Sequence, residues 1–181
     1  VMTAYLSVIA NPQDTVRLKR IINEPKRAIG DATVEAIDQV AAGLGLSAFE
    51  VMEHADEYAS LAKKAPALKE FCGMIKRFGE YLESMSLDEL FDEVLDETGY
   101  REMLEKQGFE GQTRLENVAE LKSQIIQYSE QAETPSLQEF LEEVALYADT
   151  DGIDQNADCV LRMTMHSAKG LEFPVVFMVG A

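Results

Sequence analysis

Ile21-Ile22-Asn23-Glu24-Pro25-Lys26-Arg27-Ala28-Ile29-Gly30-Asp31-Ala32-Thr33 reads as helix, tight turn, helix. Val16, Leu18, Ile21 and Ile22 line the helix before the turn, and Pro25 ends it. After Gly30, Asp31 is placed to cap a further helix, with Val34, Ile37, Val40 and Ala41 inward and Gly43 and Gly45 as its stop. Bases precede the turn, and the N-terminus of the next helix supplies free backbone N–H groups. That pairing can hold one phosphate without reading sequence. The same residues equally describe an ordinary helical corner with solvated Lys and Arg.

Outward from the turn, nearly everything before Asp149 has helical period. Ala4, Leu6, Val8 and Ile9 open an apolar helix ending at Asn11-Pro12. The S/T-x-x-E spacing of a capping box recurs at Ser47/Glu50, Ser86/Glu89, Thr113/Glu116 and Ser136/Glu139. Gly99, Gly108 and Gly111 mark breaks around a short helix from Tyr100 to Lys106. The count is roughly nine helices by periodicity, a multi-helix array and not a four-helix bundle. The fold class expected is therefore mainly α.

The C-terminal end reads differently. Val160 to Met165 and Pro174 to Gly180 have strand composition and flank the polar loop His166-Ser167-Ala168-Lys169-Gly170-Leu171-Glu172-Phe173. The second strand is almost wholly apolar, as in a sheet buried on both faces. These strands lack sheet partners elsewhere in the sequence, so the chain is expected to be a piece of a larger α/β protein. Its opening Val1-Met2 fits that expectation. Asp149 to Asp158 reads as an acidic linker. It is not a calcium loop, because Gly152 and Val160 stand where an EF-hand needs other residues.

Of the 181 residues, 46% are hydrophobic, ample for a core. No run of 18 apolar residues suggests a membrane span, and no signal peptide is visible. Cys72 and Cys159 stand far apart outside any ligand cluster, so reduced thiols in a cytoplasmic protein are expected, and no metal site. The formal charge of −17 argues against nucleic-acid binding by the chain as a whole. The charge is uneven, however. Between Arg17 and Gly30 lie five bases (Arg17, Lys19, Arg20, Lys26, Arg27) and one acid; between Gly79 and Glu110 lie eleven acids and two bases. A solvated helix face explains the acidic part. His54, beside Glu50, Glu53 and Glu57, reads as a surface residue, and Asp88 to Asp92 as the start of a capped helix.

The order T-x-H-S-A-K-G-L-E-F-P, from Thr164 to Pro174, resembles motif V of superfamily 1 DNA helicases of the UvrD/PcrA/Rep type. The resemblance implies a strand–loop–strand remnant (160–181) of the second RecA-like domain, 2A. It implies that Glu172, with Gly170, meets the nucleotide ribose, that Thr164 and His166 touch single-stranded DNA, and that Lys169 belongs to the turn between the two sites. Pro25 to Thr33 resembles the helix-hairpin-helix-like element of the accessory 2B subdomain, whose P-x-R-G-I-G-D pattern meets duplex backbone. Lys26, Arg27, Ile29, Gly30 and Thr33 are then the expected duplex-binding residues. Ala28 departs from the pattern by replacing its first glycine. A Cβ there makes a left-handed conformation or close phosphate approach costlier. Further stretches run in family order: Ala4 to Pro12, Gly111 to Asn117 with Glu120-Leu121, and Pro135 to Leu141.

The resemblance divides the chain into a lead-in helix from 2A (1–12), the 2B subdomain (13–148), an acidic linker (149–159) and motif V (160–181). It implies a longer protein that couples hydrolysis of ATP, with Mg, to 3′-to-5′ movement on DNA, with single strand, duplex junction and repair or transcription proteins as partners. No GxxxxGK(S/T) occurs, so the chain alone is expected to carry no ATPase activity and no cofactor. The competing readings are a helical protein-interaction module with an acidic surface, or part of a RecB/AddA-like helicase-nuclease.

Overall fold

A computed structural model describes residues 1–151 together with Val175 and Phe177. The strands expected over 160–181, most of the linker, and Thr164, His166, Lys169, Gly170 and Glu172 lie outside the described residues. Within them the chain is mainly helical, as the periodicity implies. Nine α-helices follow in order: α1 (Met2–Ala10), α2 (Thr15–Ile21), α3 (Asp31–Leu44), α4 (Ala48–Glu53), α5 (Ala65–Tyr81), α6 (Leu87–Glu97), α7 (Tyr100–Glu105), α8 (Gly108–Gln131) and α9 (Leu137–Asp151). A 3-10 turn, Ala55–Glu57, joins α4 to α5. Residues 1–140 form one compact unit and 141–181 a second. Helix α9 continues to Asp151, so the linker's first three residues are helical.

Helix α1 is the hub of the first unit. Seven of its nine residues are buried, Tyr5 and Val8 completely. A helix apolar on nearly every side must be enclosed, and α1 packs against α2, α5 and α6. Helix α5 shows the more usual one-sided pattern: Leu68, Phe71, Cys72, Ile75 and Phe78 follow the i, i+3, i+4, i+7 spacing and are all buried. Leu87, Leu90, Phe91, Val94 and Leu95 do the same on α6. Burying each such side chain contributes about 2 kcal/mol before entropy is counted. Burial also pushes the Cys72 thiol up to about 12, which makes it an inert core group at neutral pH.

Two of the four capping boxes form reciprocally, Ser47 with Glu50 and Ser86 with Glu89. The other two do not. Thr113 lies inside α8, where its hydroxyl reaches back to the Phe109 carbonyl at 3.5 Å. Glu139 accepts from the Tyr128 hydroxyl at 3.2 Å, and that hydroxyl in turn accepts from the Ser136 N–H.

Three other expectations are corrected. Val16 is 81% exposed: it lies two residues from Leu18, about 200° around the helix, and so faces away from the core. Asp31 does not cap α3; Gly30 occupies the cap position without a side-chain bond, and Asp31 is the first helical residue. Gly111 is not a break. It is buried inside α8 where α7 crosses it, and a Cβ there would sit 2.8 Å from the Leu104 carbonyl carbon and closer still to its oxygen.

Candidate nucleic-acid interface

The turn between α2 and α3 is built around one short side chain. Asn23 Oδ1 accepts from the backbone N–H of Arg27 at 2.8 Å and of Ile29 at 3.2 Å. The Asn23 amide oxygen thus stands where a backbone carbonyl would otherwise have to close the turn. The chain passes through a cis Glu24–Pro25 peptide, and Ala28 then adopts φ 58°. Ile29, 1% exposed, anchors the turn in the core. Lys26, Ala28 and Gly30 are exposed, and Thr33 is half-buried on the first turn of α3.

Arg27 and Ile29 thus stand apart from the other expected duplex residues, because their side chains face inward. Arg27 donates from Nη1 to the carbonyls of Ile21 (3.2 Å) and Pro25 (3.0 Å). From Nη2 it donates to the Tyr5 hydroxyl (2.8 Å) and the Thr98 carbonyl (3.3 Å). Its guanidinium carbon lies 5.3 Å from the Phe71 ring centre and 5.9 Å from that of Tyr5. The Tyr5 hydroxyl donates onward to the Glu24 carbonyl at 2.7 Å. Burial pushes the Tyr5 phenol up to about 12 despite the opposing Arg27 charge, so it keeps that proton at any physiological pH. No sequence motif points to Asn23, Phe71 or Thr98 as members of this cluster. Tyr5 carries the one available signal, a polar-tipped ring in an apolar helix.

The left-handed Ala28 makes the departure from the family pattern a measurable cost. An L-residue there is strained by about 1–2 kcal/mol, whereas glycine is not. Glycine loses part of that through its freer unfolded state. Ala28→Gly is therefore expected to stabilise the chain by about 1 kcal/mol, read as a higher urea midpoint at unchanged slope. A lower midpoint would contradict the left-handed assignment.

Charge pairing thins the basic stretch. Asp14 pairs with Arg17 at 2.5 Å and Asp38 with Lys19 at 2.7 Å. The Arg17 N–H and guanidinium together hold the Asp14 carboxyl below its ordinary value. With Arg27 turned inward, Arg20 and Lys26 remain exposed with no carboxylate in ion-pair reach among the described residues. Arg20 lines a cleft of about 440 Å³ with Arg114, Glu24, Tyr100 and Asn117. Lys26 lies on the turn leading to the N-terminus of α3, whose first N–H groups have no side-chain cap. What this stretch offers is one exposed ammonium a few residues before a set of backbone donors with no side-chain cap, suited to a single phosphate.

The acidic region behaves as a solvated, paired face. Asp92 meets Lys122 at 2.5 Å, Asp96 meets Arg101, Glu97 meets Arg77, and Glu102 meets Lys106. His54 is exposed and touches Glu57 at 3.2 Å. Among the described residues no group of three His, Cys, Asp or Glu could hold a metal ion, and no helix is long and apolar enough to cross a membrane.

An ordered helical array with this turn, in a chain that also carries Thr164 to Pro174, defines a class. The chain belongs to the UvrD-like helicase C-terminal domain family, whose profile matches residues 1–181. It is 41% identical to the ATP-dependent DNA helicase PcrA of Bacillus subtilis over 98% of its length, and 40% identical to PcrA of Staphylococcus aureus over 99%. The Staphylococcus epidermidis PcrA is similar at 41% over 99%. The chain spans about a quarter of the length of these relatives, 25% in each case.

Proposed function

We propose that this chain is the accessory 2B region, with flanking pieces of 2A, of an ATP-dependent DNA helicase that moves 3′ to 5′ on single-stranded DNA. The observation that carries the reading is the α2–α3 turn, where exposed Lys26 leads into the uncapped start of α3 in a chain of this family. Lys26, the N–H groups at Gly30 to Ala32 and the Thr33 hydroxyl would hold one backbone phosphate of duplex DNA, independent of sequence. Ile29 and Arg27 would support them from behind.

Thr164 and His166 would meet the single strand and Glu172 the ATP ribose, with Gly170 and Lys169 in the connecting turn. ATP with Mg supplies phosphoryl transfer in the longer protein. The chain has no P-loop lysine, so its own part is to touch duplex DNA, or repair and transcription proteins, and to tune a motor that hydrolyses ATP elsewhere.

The test is fluorescence anisotropy of a labelled tailed duplex against the chain and its Lys26→Ala variant. One phosphate contact contributes about −0.9 to the slope of log affinity against log salt. Lys26→Ala is expected to bind more weakly, with a slope shallower by about that amount and an unchanged melting temperature. Equal binding by both would remove the turn from the interface.

A further inference from the structure

Arg27 looks from sequence like a phosphate ligand, one of two adjacent bases on a DNA-facing turn. Its surroundings argue for a different task. A guanidinium has five N–H donors, and four are directed at acceptors inside the protein: Ile21 O, Pro25 O, Tyr5 Oη and Thr98 O. The acceptors come from the end of α2, the turn itself, α1, and the residue closing α6. Its guanidinium carbon lies over the rings of Tyr5 and Phe71, the latter on α5. A planar fork held on this many sides has little freedom to swing out to a phosphate. Lysine could not replace it, since three tetrahedral donors cannot reach four divergent acceptors and an ammonium cannot stack.

The group also sits in a turn held chiefly by one other side chain, Asn23. Ala28 beside it is left-handed, and the Arg27 N–H is one of only two that Asn23 ties down. Thr98 is 71 residues away along the chain. A change in the α6–α7 junction would therefore reach the turn through this one side chain.

We infer that Arg27 is the positioning residue of the α2–α3 turn: its guanidinium locks residues 21–29 to α1, α5 and the α6–α7 junction, so that Lys26 and the start of α3 are presented to phosphate, while Arg27 itself gives DNA no charge. The consequence for DNA rests on the proposed duplex contact; the lock itself does not.

The experiment compares Arg27→Lys and Arg27→Gln with wild type, first without DNA by amide hydrogen exchange, then with a labelled tailed duplex well below each melting transition. Ile125→Ala, a core change in α8, controls for general destabilisation. The lock predicts that both Arg27 variants speed exchange at the Arg27 and Ile29 amides by about tenfold or more, relative to amides of α5. It also predicts that both weaken duplex binding alike, by about tenfold, while Ile125→Ala keeps wild-type affinity. Lysine retaining wild-type affinity while glutamine loses it would make Arg27 a charge contact and overturn the inference, as would unaltered exchange in both. If wild type fails to bind duplex at all, the proposed DNA contact fails, and the exchange data alone then decide the lock.

Discussion

Gly111→Ala is expected to destabilise the first unit by about 3 kcal/mol, an overpacking cost at the upper end of its usual range. In a chain of this length that is roughly a 10 °C fall in melting temperature. A new Cβ at Gly111 would meet the Leu104 carbonyl group, which is backbone and cannot rotate aside, and then Gln107 Cβ at 3.0 Å. Relief would require α8 to move off α7, opening the crossing beside buried Leu104. The same substitution in α3 supplies the control. Gly43 is exposed within a helix, and an added methyl group there would meet nothing within 4 Å. Gly43→Ala should therefore stabilise by about 0.5–1 kcal/mol through helix propensity alone. Opposite signs for one chemical change would show that contact, and not glycine content, decides. A Gly111→Ala chain as stable as wild type would mean that α7 and α8 do not cross this closely.

The second large effect is expected at Glu172, in the full-length protein. Under the proposed reading its carboxylate accepts from two ribose hydroxyls of ATP. Charged hydrogen bonds of that kind contribute about 1.5–3 kcal/mol each when well formed. Losing even one of them corresponds to about 10- to 100-fold, so Glu172→Ala should raise the KM for ATP by at least about that factor. Motif V, as the family resemblance implies, also carries Thr164 and His166 on the strand-binding side, so stimulation of turnover by single-stranded DNA should fall as well. Glu172→Gln keeps one acceptor oxygen and should lie between the two. Unchanged ATP affinity together with unchanged DNA stimulation would remove Glu172 from the nucleotide site.

What can be read from sequence follows how local each feature is. The ends of α1, α4, α6 and α7 are legible because their signals lie within a few residues: Asn11-Pro12, the Ser47/Glu50 and Ser86/Glu89 boxes, and Gly99. Thr113/Glu116 shows the limit of that logic. In a helix rich in glutamate the S/T-x-x-E spacing also arises within one turn, and only α7 packing against the start of α8 distinguishes the cases. Gly111 misleads for a related reason, since a glycine required for close approach looks like a glycine that ends a helix. Arg27 is furthest from reach. Its direction depends on Phe71 and Thr98, which no local pattern connects to residues 21–33. Ala28 is a middle case: the missing glycine is visible in the sequence, but whether the backbone there is left-handed or merely close to a phosphate is not, and the structure shows it left-handed at φ 58°.

The most direct test of the DNA-facing turn is the affinity of the wild-type chain for tailed duplexes of unrelated sequence, measured across a salt series. A chain of net charge −17 has no general attraction for DNA, so any duplex binding must come from a local contact. A phosphate contact at the turn gives equal affinity for every sequence and a steady loss as salt rises. Absent binding at low salt, or binding indifferent to salt, would contradict it.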